Sequence, residues 1–306
     1  MTTPPTLSEH WARIQPERPA VLADDETLSW RELNTLADHL AHQLARRGVA
    51  AGDVVALRMQ TGAQWVALML ALSKLGARLL GVNWRLVAEE VDYVLENARA
   101  RLLILDDEQP RALMDAITAL PREAILPVAR TWPGSHWGAL TEAGGPPLAM
   151  EALCEQIIYT SGTTGRPKGV QLNSRPEPGN ERLNRYLEAQ VGGYKRYQNG
   201  DVALVSMPLH HGSGPSQVRM AMKNGTTLVL QKRFDAAQWF DLAERHGVTH
   251  WTGVPTMYKR LKGYQEAGGR RAPGTVASPE TVASTVSEPS RPETVTSLEA
   301  VRAEPS

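Results

Sequence analysis

The 306-residue sequence contains one cysteine, Cys154. A lone thiol rules out an internal disulfide framework and a cysteine-built zinc site, and such usage fits a reducing compartment. No charge of either sign prevails, because 33 Lys and Arg balance 33 Asp and Glu. Bulk attraction to nucleic acid, anionic lipid or acidic substrates is therefore absent. Long hydrophobic runs are missing as well. The longest, residues 65–72 (WVALMLAL), is far shorter than the roughly 20 residues that cross a bilayer as a helix. The amino terminus, MTTPPTLSEHWARIQPERP, has no basic stretch followed by an apolar one, so neither secretion nor membrane insertion is expected and a cytoplasmic location is the default. What the chain does have is 42% hydrophobic residues, enough for one large or two ordinary domains.

Helix and strand patterns alternate through the first half. Ser29-Trp30-Arg31-Glu32 is a capping box, after which Leu33, Leu36, Ala37, Leu40 and Leu44 recur at helical spacing until Gly48. The patterning predicts a strand over 54–59, a helix over 64–75, a strand over 78–82, a helix over 88–98 and a strand over 101–105. Strands apolar on both faces, separated by helices, specify an α/β fold of mainly parallel sheets layered with helices, with ligands beyond the carboxyl ends of the strands. The Gly- and Pro-rich residues 131–147 read as a surface connection between subdomains. The α/β grammar resumes with strands over 156–160, 202–207 and 248–252 and helices over 181–190 and 235–246. Residues 268–306 differ: they lack aromatics, are rich in Pro, Ser, Thr and Glu, and repeat PETVAS as PETVTS. Burial there cannot offset the entropy of ordering, so this tail is expected to be low-complexity and disordered.

The chemistry concentrates in IIYTSGTTGRPKGV, where an apolar strand runs into Thr160, Ser161, Gly162, Thr163, Thr164, Gly165, Arg166, Pro167, Lys168 and Gly169. Glycines let the backbone approach an anion closely, four hydroxyls and the amides donate hydrogen bonds, and Lys168 adds positive charge. These parts suit the phosphates of a nucleotide triphosphate. Arg166 and Pro167 separate Gly165 from Lys168, and Gly169 follows, so the spacing is not that of an ordinary P-loop NTPase. The bland alternative is a Gly- and Thr-rich surface turn.

YTSGTTGRPKGV resembles the phosphate-loop signature of the adenylate-forming (AMP-binding) superfamily, specifically its acyl-CoA synthetase and acid–thiol ligase branch. TLSWRELNTLADHLAHQLARRGVAAGDVVAL, GVNWRLVAEEVDYVLENARARLLI, DVALVSMPLHHGSG and FDAAQWFDLAERHGVTHWTGVPTMYKRL resemble further family segments, so the likeness covers about residues 21–261. It implies a partial AMP-binding domain over 1–267 followed by the 268–306 tail. It also implies that Lys168 and His211 serve catalysis, while Thr160, Ser161, Gly162, Thr163, Thr164, Gly165, Lys168 and Gly169 bind ATP. His211 would gate the substrate pocket, with His210 replacing an aromatic more usual there; a structural hydrogen bond is the alternative role for His211. A metal pair from these two is disfavoured because neighbours in an extended chain point to opposite sides. His39, His42, His246 and His250 fall in helix or strand patterns and are expected to be structural.

The implied reaction has two halves: a carboxylic acid attacks the α-phosphate of ATP to give an acyl-adenylate, and coenzyme A then displaces AMP. Mg2+ and coenzyme A enter by this analogy alone, and no residue is assigned as a metal ligand. The family's aromatic-Gly-x-Thr-Glu and Thr-Gly-Asp motifs and its late catalytic lysine have no counterpart in these 306 residues, and residues 171–200 follow the pattern loosely. The alternative is therefore a truncated or frameshifted, non-catalytic remnant that at most binds nucleotide. An incomplete large domain would expose sheet edges that a partner or a second copy could cover.

Overall fold

The computed structural model describes residues 7–23, 26–150, 152–160, 167–172 and 197–269. Helix α1 (Leu7–Ile14) precedes strands β1 (Pro19–Ala23) and β2 (Glu26–Ser29). The capping box then starts α2 (Trp30–Arg46): Glu32 N donates to Ser29 Oγ at 3.2 Å, and Ser29 N donates back to Glu32 Oε2 at 2.8 Å. The helix stops before Gly48, whose φ of 81° turns the chain left-handed.

A six-stranded sheet follows in the order β6-β5-β3-β4-β7-β8, built from β3 (Val54–Arg58), β4 (Arg78–Gly81), β5 (Ala100–Leu105), β6 (Ile125–Pro127), β7 (Gln156–Thr160) and β8 (Lys168–Leu172). All neighbours are parallel except β7 and β8. Its two faces are both apolar, as the strand patterns predict. Val55, Leu57, Leu79 and Ile104 join one core with α2 and α3 (Ala63–Leu75), whereas Val54, Ala56, Leu80 and Leu103 join another with α4 (Ala88–Asn97) and α5 (Arg111–Ala116).

The run 65–72 forms the heart of α3, every residue of it fully buried. It is hydrophobic all round because sheets cover it on two sides. No helix among the described residues is long and apolar enough to cross a membrane.

The second sheet is five-stranded, in the order β11-β9-β10-β1-β2, with β9 (Val202–Val205), β10 (Thr227–Leu230) and β11 (His250–Trp251). Ala203, Val205, Leu228 and Leu230 face the central helices and α7 (Ser213–Asn224). Leu204 and Val229 face α8 (Ala236–Arg245) and α9 (Pro255–Glu266). The layers therefore run helix, sheet, helix, sheet, helix.

Four sequence expectations need correction or delimitation. Residues 131–147 are not merely a surface connection. They contain α6 (Trp137–Leu140), whose Trp137 and Leu140 are buried in the central core. The polar face of α2 straps the segment down, through His39 Nδ1 to Thr141 O at 3.0 Å and His42 Nε2 to Pro146 O at 2.8 Å. These two histidines have the structural role expected of them. The strand over 248–252 shrinks to β11, and just before it Thr249 bonds the β9 backbone twice, its N–H donating to Val202 O at 2.9 Å and its Oγ1 accepting from Val202 N at 3.1 Å. The helix over 181–190, and the tail beyond Gly269, lie outside the described residues.

Candidate functional site

Strands β7 and β8 pair antiparallel with Thr160 opposite Lys168 and Tyr159 opposite Gly169. The two ends of the phosphate-loop sequence are therefore cross-strand neighbours. Thr160 and Lys168 are exposed and Gly169 is buried. Ser161, Gly162, Thr163, Thr164 and Gly165 lie outside the described residues. Both strands rest on α4: Tyr93 Oη donates to Pro167 O at 3.2 Å, and Tyr159 Oη donates to Asn97 Oδ1 at 2.7 Å. Burial, with Tyr93 alongside, pushes the Tyr159 phenol above its usual range, so it stays a donor.

His210 and His211 lie on the turn between β9 and α7. This turn meets the end of the other sheet. A Cβ on Gly81, the last residue of β4, would sit 2.9 Å from His210 Cα, so only glycine permits this approach. Gly81 is also the register partner of Ile158 on β7, and Gln156 of β7 donates from Nε2 to Leu209 O at 3.4 Å. The histidine turn thus packs against the strand that leads into the phosphate-loop sequence. The two rings do not point to opposite sides as an extended chain would require. Their centroids are 4.4 Å apart, because His211 N donates to Pro208 O at 3.3 Å and the backbone turns. Among the described residues, no group of three or more His, Cys, Asp or Glu side chains could hold a metal ion.

Burial, then His211 and then Arg85, push His210 down to about 4; partial burial lowers His211 as well. Both rings are accordingly neutral at pH 7. The location follows a topological rule. Strand β9 is followed by α7 on the inner face, whereas its neighbour β11 is followed by α9 on the outer face, so the chain leaves these two strand ends in opposite directions. Trp251 Nε1 donates to Ser206 Oγ at 3.2 Å across that strand pair.

Sequence reading passed over the residues that fix this end of the sheet. Arg58 closes β3 yet is only 6% exposed. Its guanidinium pairs with Asp107 after β5 and donates to Trp84 O and Leu86 O after β4. One side chain thereby ties three strand-end loops together. An arginine ending the apolar run VVALR was the signal available. Tyr93 and Tyr159 carried none, since their partners are remote or lie on another element. His250 is structural, stacked on Tyr197 at 4.8 Å and 2.8 Å from Thr249 Oγ1.

Glycines, hydroxyls and a lysine in one short stretch can bind phosphate, and Thr160 and Lys168 at its ends pair across β7 and β8. The family model for the AMP-binding enzyme matches residues 8–305. The chain belongs to that family. The AMP-binding match reaches beyond residues 21–261 at both ends. Among relatives, the chain is 32% identical over 259 residues to the fatty acid–acyl-carrier-protein ligase ScoC of Streptomyces coeruleorubidus, covering 84% of this chain and 48% of that protein. It is also 32% identical over 281 residues to the 2-succinylbenzoate–CoA ligase of Geobacillus kaustophilus, covering 90% and 52%. The chain thus spans about half the length of these relatives.

Among solved structures, the O-succinylbenzoate coenzyme A synthetase MenE of Bacillus subtilis in complex with AMP superposes with a TM-score of 0.70 at 27% identity, over 89% of this chain and 66% of that one. The N-terminal domain of FACL13 from Mycobacterium tuberculosis gives 0.73 at 25% identity, over 88% and 67%. The α/β layering above is that of the N-terminal domain of AMP-binding enzymes.

Proposed function

We propose that this chain supplies the phosphate-binding and acid-facing half of an AMP-forming acid–thiol ligase. The observation that carries the reading is the Thr160–Lys168 pairing, which brings the two ends of the TSGTTGRPKG sequence together at the carboxyl end of β7. A carboxylate is a poor electrophile until an oxygen of it attacks the α-phosphorus of ATP. The bond to the bridging oxygen then breaks, and pyrophosphate leaves with the electron pair. Loop amides and hydroxyls from Thr160 to Gly169 would hold the β- and γ-phosphates, and Lys168 would offset charge growing on pyrophosphate. Neutral His211 would border the acid without repelling or protonating it. A thiol, coenzyme A in the family's usual reaction, would then attack the acyl carbon and expel AMP. Magnesium would neutralise phosphate charge when bound; the described residues offer no cluster to hold it, so no ligand is assigned.

Lys168→Ala should weaken ATP binding roughly ten- to a hundred-fold, the worth of one charge-assisted contact of about 1.5–3 kcal/mol, without a matching loss of stability. Calorimetric titration with ATP measures it, and unchanged affinity would move the nucleotide elsewhere.

A second reading is favoured by the coverage of 48% and 52% of the relatives: the chain binds nucleotide but does not turn over alone. Pyrophosphate release with ATP, magnesium, coenzyme A and a panel of carboxylic acids separates the two. Turnover that Lys168→Ala abolishes supports a competent ligase, whereas ATP binding without turnover supports the second reading.

A further inference from the structure

We propose that Tyr93 of α4 is a positioning residue for nucleotide binding: its hydroxyl anchors the peptide that precedes Lys168 and so sets where the ammonium group meets phosphate. The inference rests on the reading of Lys168 as a phosphate ligand given above. The anchor is one hydrogen bond, from Tyr93 Oη to Pro167 O at 3.2 Å. That carbonyl belongs to the peptide joining Pro167 to Lys168. The unit is planar, so holding its oxygen fixes the direction in which the backbone enters Lys168. Pro167 adds stiffness, because its ring locks φ.

The place of Lys168 in the sheet is what makes such an anchor matter. Strand β8 comes last in the strand order, with β7 on one side of it. Thr160 and Lys168 are the final partners of that ladder, and Pro167 lies one residue beyond them. Both partners are exposed. A strand end with little burial and one neighbouring strand opens easily, and the Tyr93 hydroxyl acts at the point where the ladder stops.

Alternation along β7 gives the direction in which Lys168 is aimed. Ile157 and Tyr159 pack with α4 in the outer core, so Gln156, Ile158 and Thr160 face the other side of the sheet. On that side Gln156 Nε2 reaches Leu209 O of the histidine turn at 3.4 Å. Directly opposed residues of an antiparallel pair share a face. Lys168, opposite Thr160, therefore sends its side chain to the face of the histidine turn while its backbone is held from the face of α4. A second tyrosine doubles the hold. Tyr159 Oη donates to Asn97 Oδ1 at 2.7 Å, and Asn97 lies one helical turn after Tyr93. One stripe of α4 thus grips β7 and the approach to β8 together. The helix is itself fixed, with Val91, Val94 and Leu95 buried and Glu90 Oε2 accepting from Val87 N at 3.1 Å at its start.

Tyr93→Phe removes the hydroxyl and keeps the ring that packs in the outer core. Calorimetric titration of ATP into the full chain should give an affinity about three- to tenfold below that of the wild type, the worth of one neutral hydrogen bond. Combining this change with Lys168→Ala decides how the hydroxyl acts. If Tyr93 works through Lys168, the double variant should bind ATP no more weakly than Lys168→Ala alone, whereas a general brace for the fold would weaken both backgrounds by the same factor. The urea midpoint of Tyr93→Phe should stay close to that of the wild type. A wild type that does not bind ATP, or a Lys168→Ala variant that binds it equally well, would overturn the reading of Lys168 and this proposal with it. Weakened binding in Lys168→Ala alongside unaltered binding in Tyr93→Phe would overturn this proposal alone. Equal factors in the two backgrounds, or a Tyr93→Phe chain that fails to fold, would do the same.

Discussion

Replacing His210 by phenylalanine should make the protein markedly more resistant to acid. His210 is 5% exposed, and its pKa falls from the usual 6.5 to about 4, mainly through burial. The fold therefore favours the neutral ring. As pH drops below 6.5 an unfolded chain takes up the proton, whereas the folded chain resists until about pH 4. The unfolded state binds more protons throughout that window, so stability is full above pH 6.5 and is lost as pH falls toward 4. At about 1.4 kcal/mol per pH unit, this one residue withdraws about 2 kcal/mol by pH 5 and about 3 kcal/mol by pH 4. The contact with Gly81 runs through the His210 backbone, so His210→Phe leaves the approach of the two sheets intact and carries a packing cost that does not vary with pH. Urea unfolding of wild type and variant at pH 7 and pH 5 gives two stability differences. Their change between the two pH values should be about 2 kcal/mol in favour of the variant. Parallel pH profiles would refute the claim that a buried neutral imidazole governs this turn.

Two other predictions concern the strand ends. Gly81→Ala places a methyl group 2.9 Å from His210 Cα, where the contact is backbone and cannot swing away; it should cost about 1–3 kcal/mol in urea unfolding, and a neutral result would show that the sheets part easily at that point. Arg58→Met strips the partner from Asp107 and from the carbonyls of Trp84 and Leu86. Since Asp107 keeps some solvent, the loss should be about 2–4 kcal/mol, read as a lower melting temperature; a change under about 0.5 kcal/mol would remove Arg58 as the tie between loops.

Several features were legible in the sequence because their causes lie within a few residues. Ser29 and Glu32 find each other across one turn of helix, the apolar pattern of 54–58 and 101–105 records burial on both sheet faces, and TSGTTGRPKG carries its donors, its cation and its backbone freedom in ten consecutive positions. Other features depended on parts of the chain that share no local signal. Strand β1 joins β10, Val21 beside Leu228, to complete a sheet whose other parallel members come from beyond residue 200. Nothing in PAVLA names that partner, since a strand buried on both faces fits many neighbours and only the packing of whole layers selects one. The pairing of His210 with His211 turned on a backbone bend, and its meeting with Gly81 on the approach of two sheets. Local periodicity specifies which faces must be buried, but the site is set where loops from separate strands converge, and that convergence is a property of the assembled layers alone.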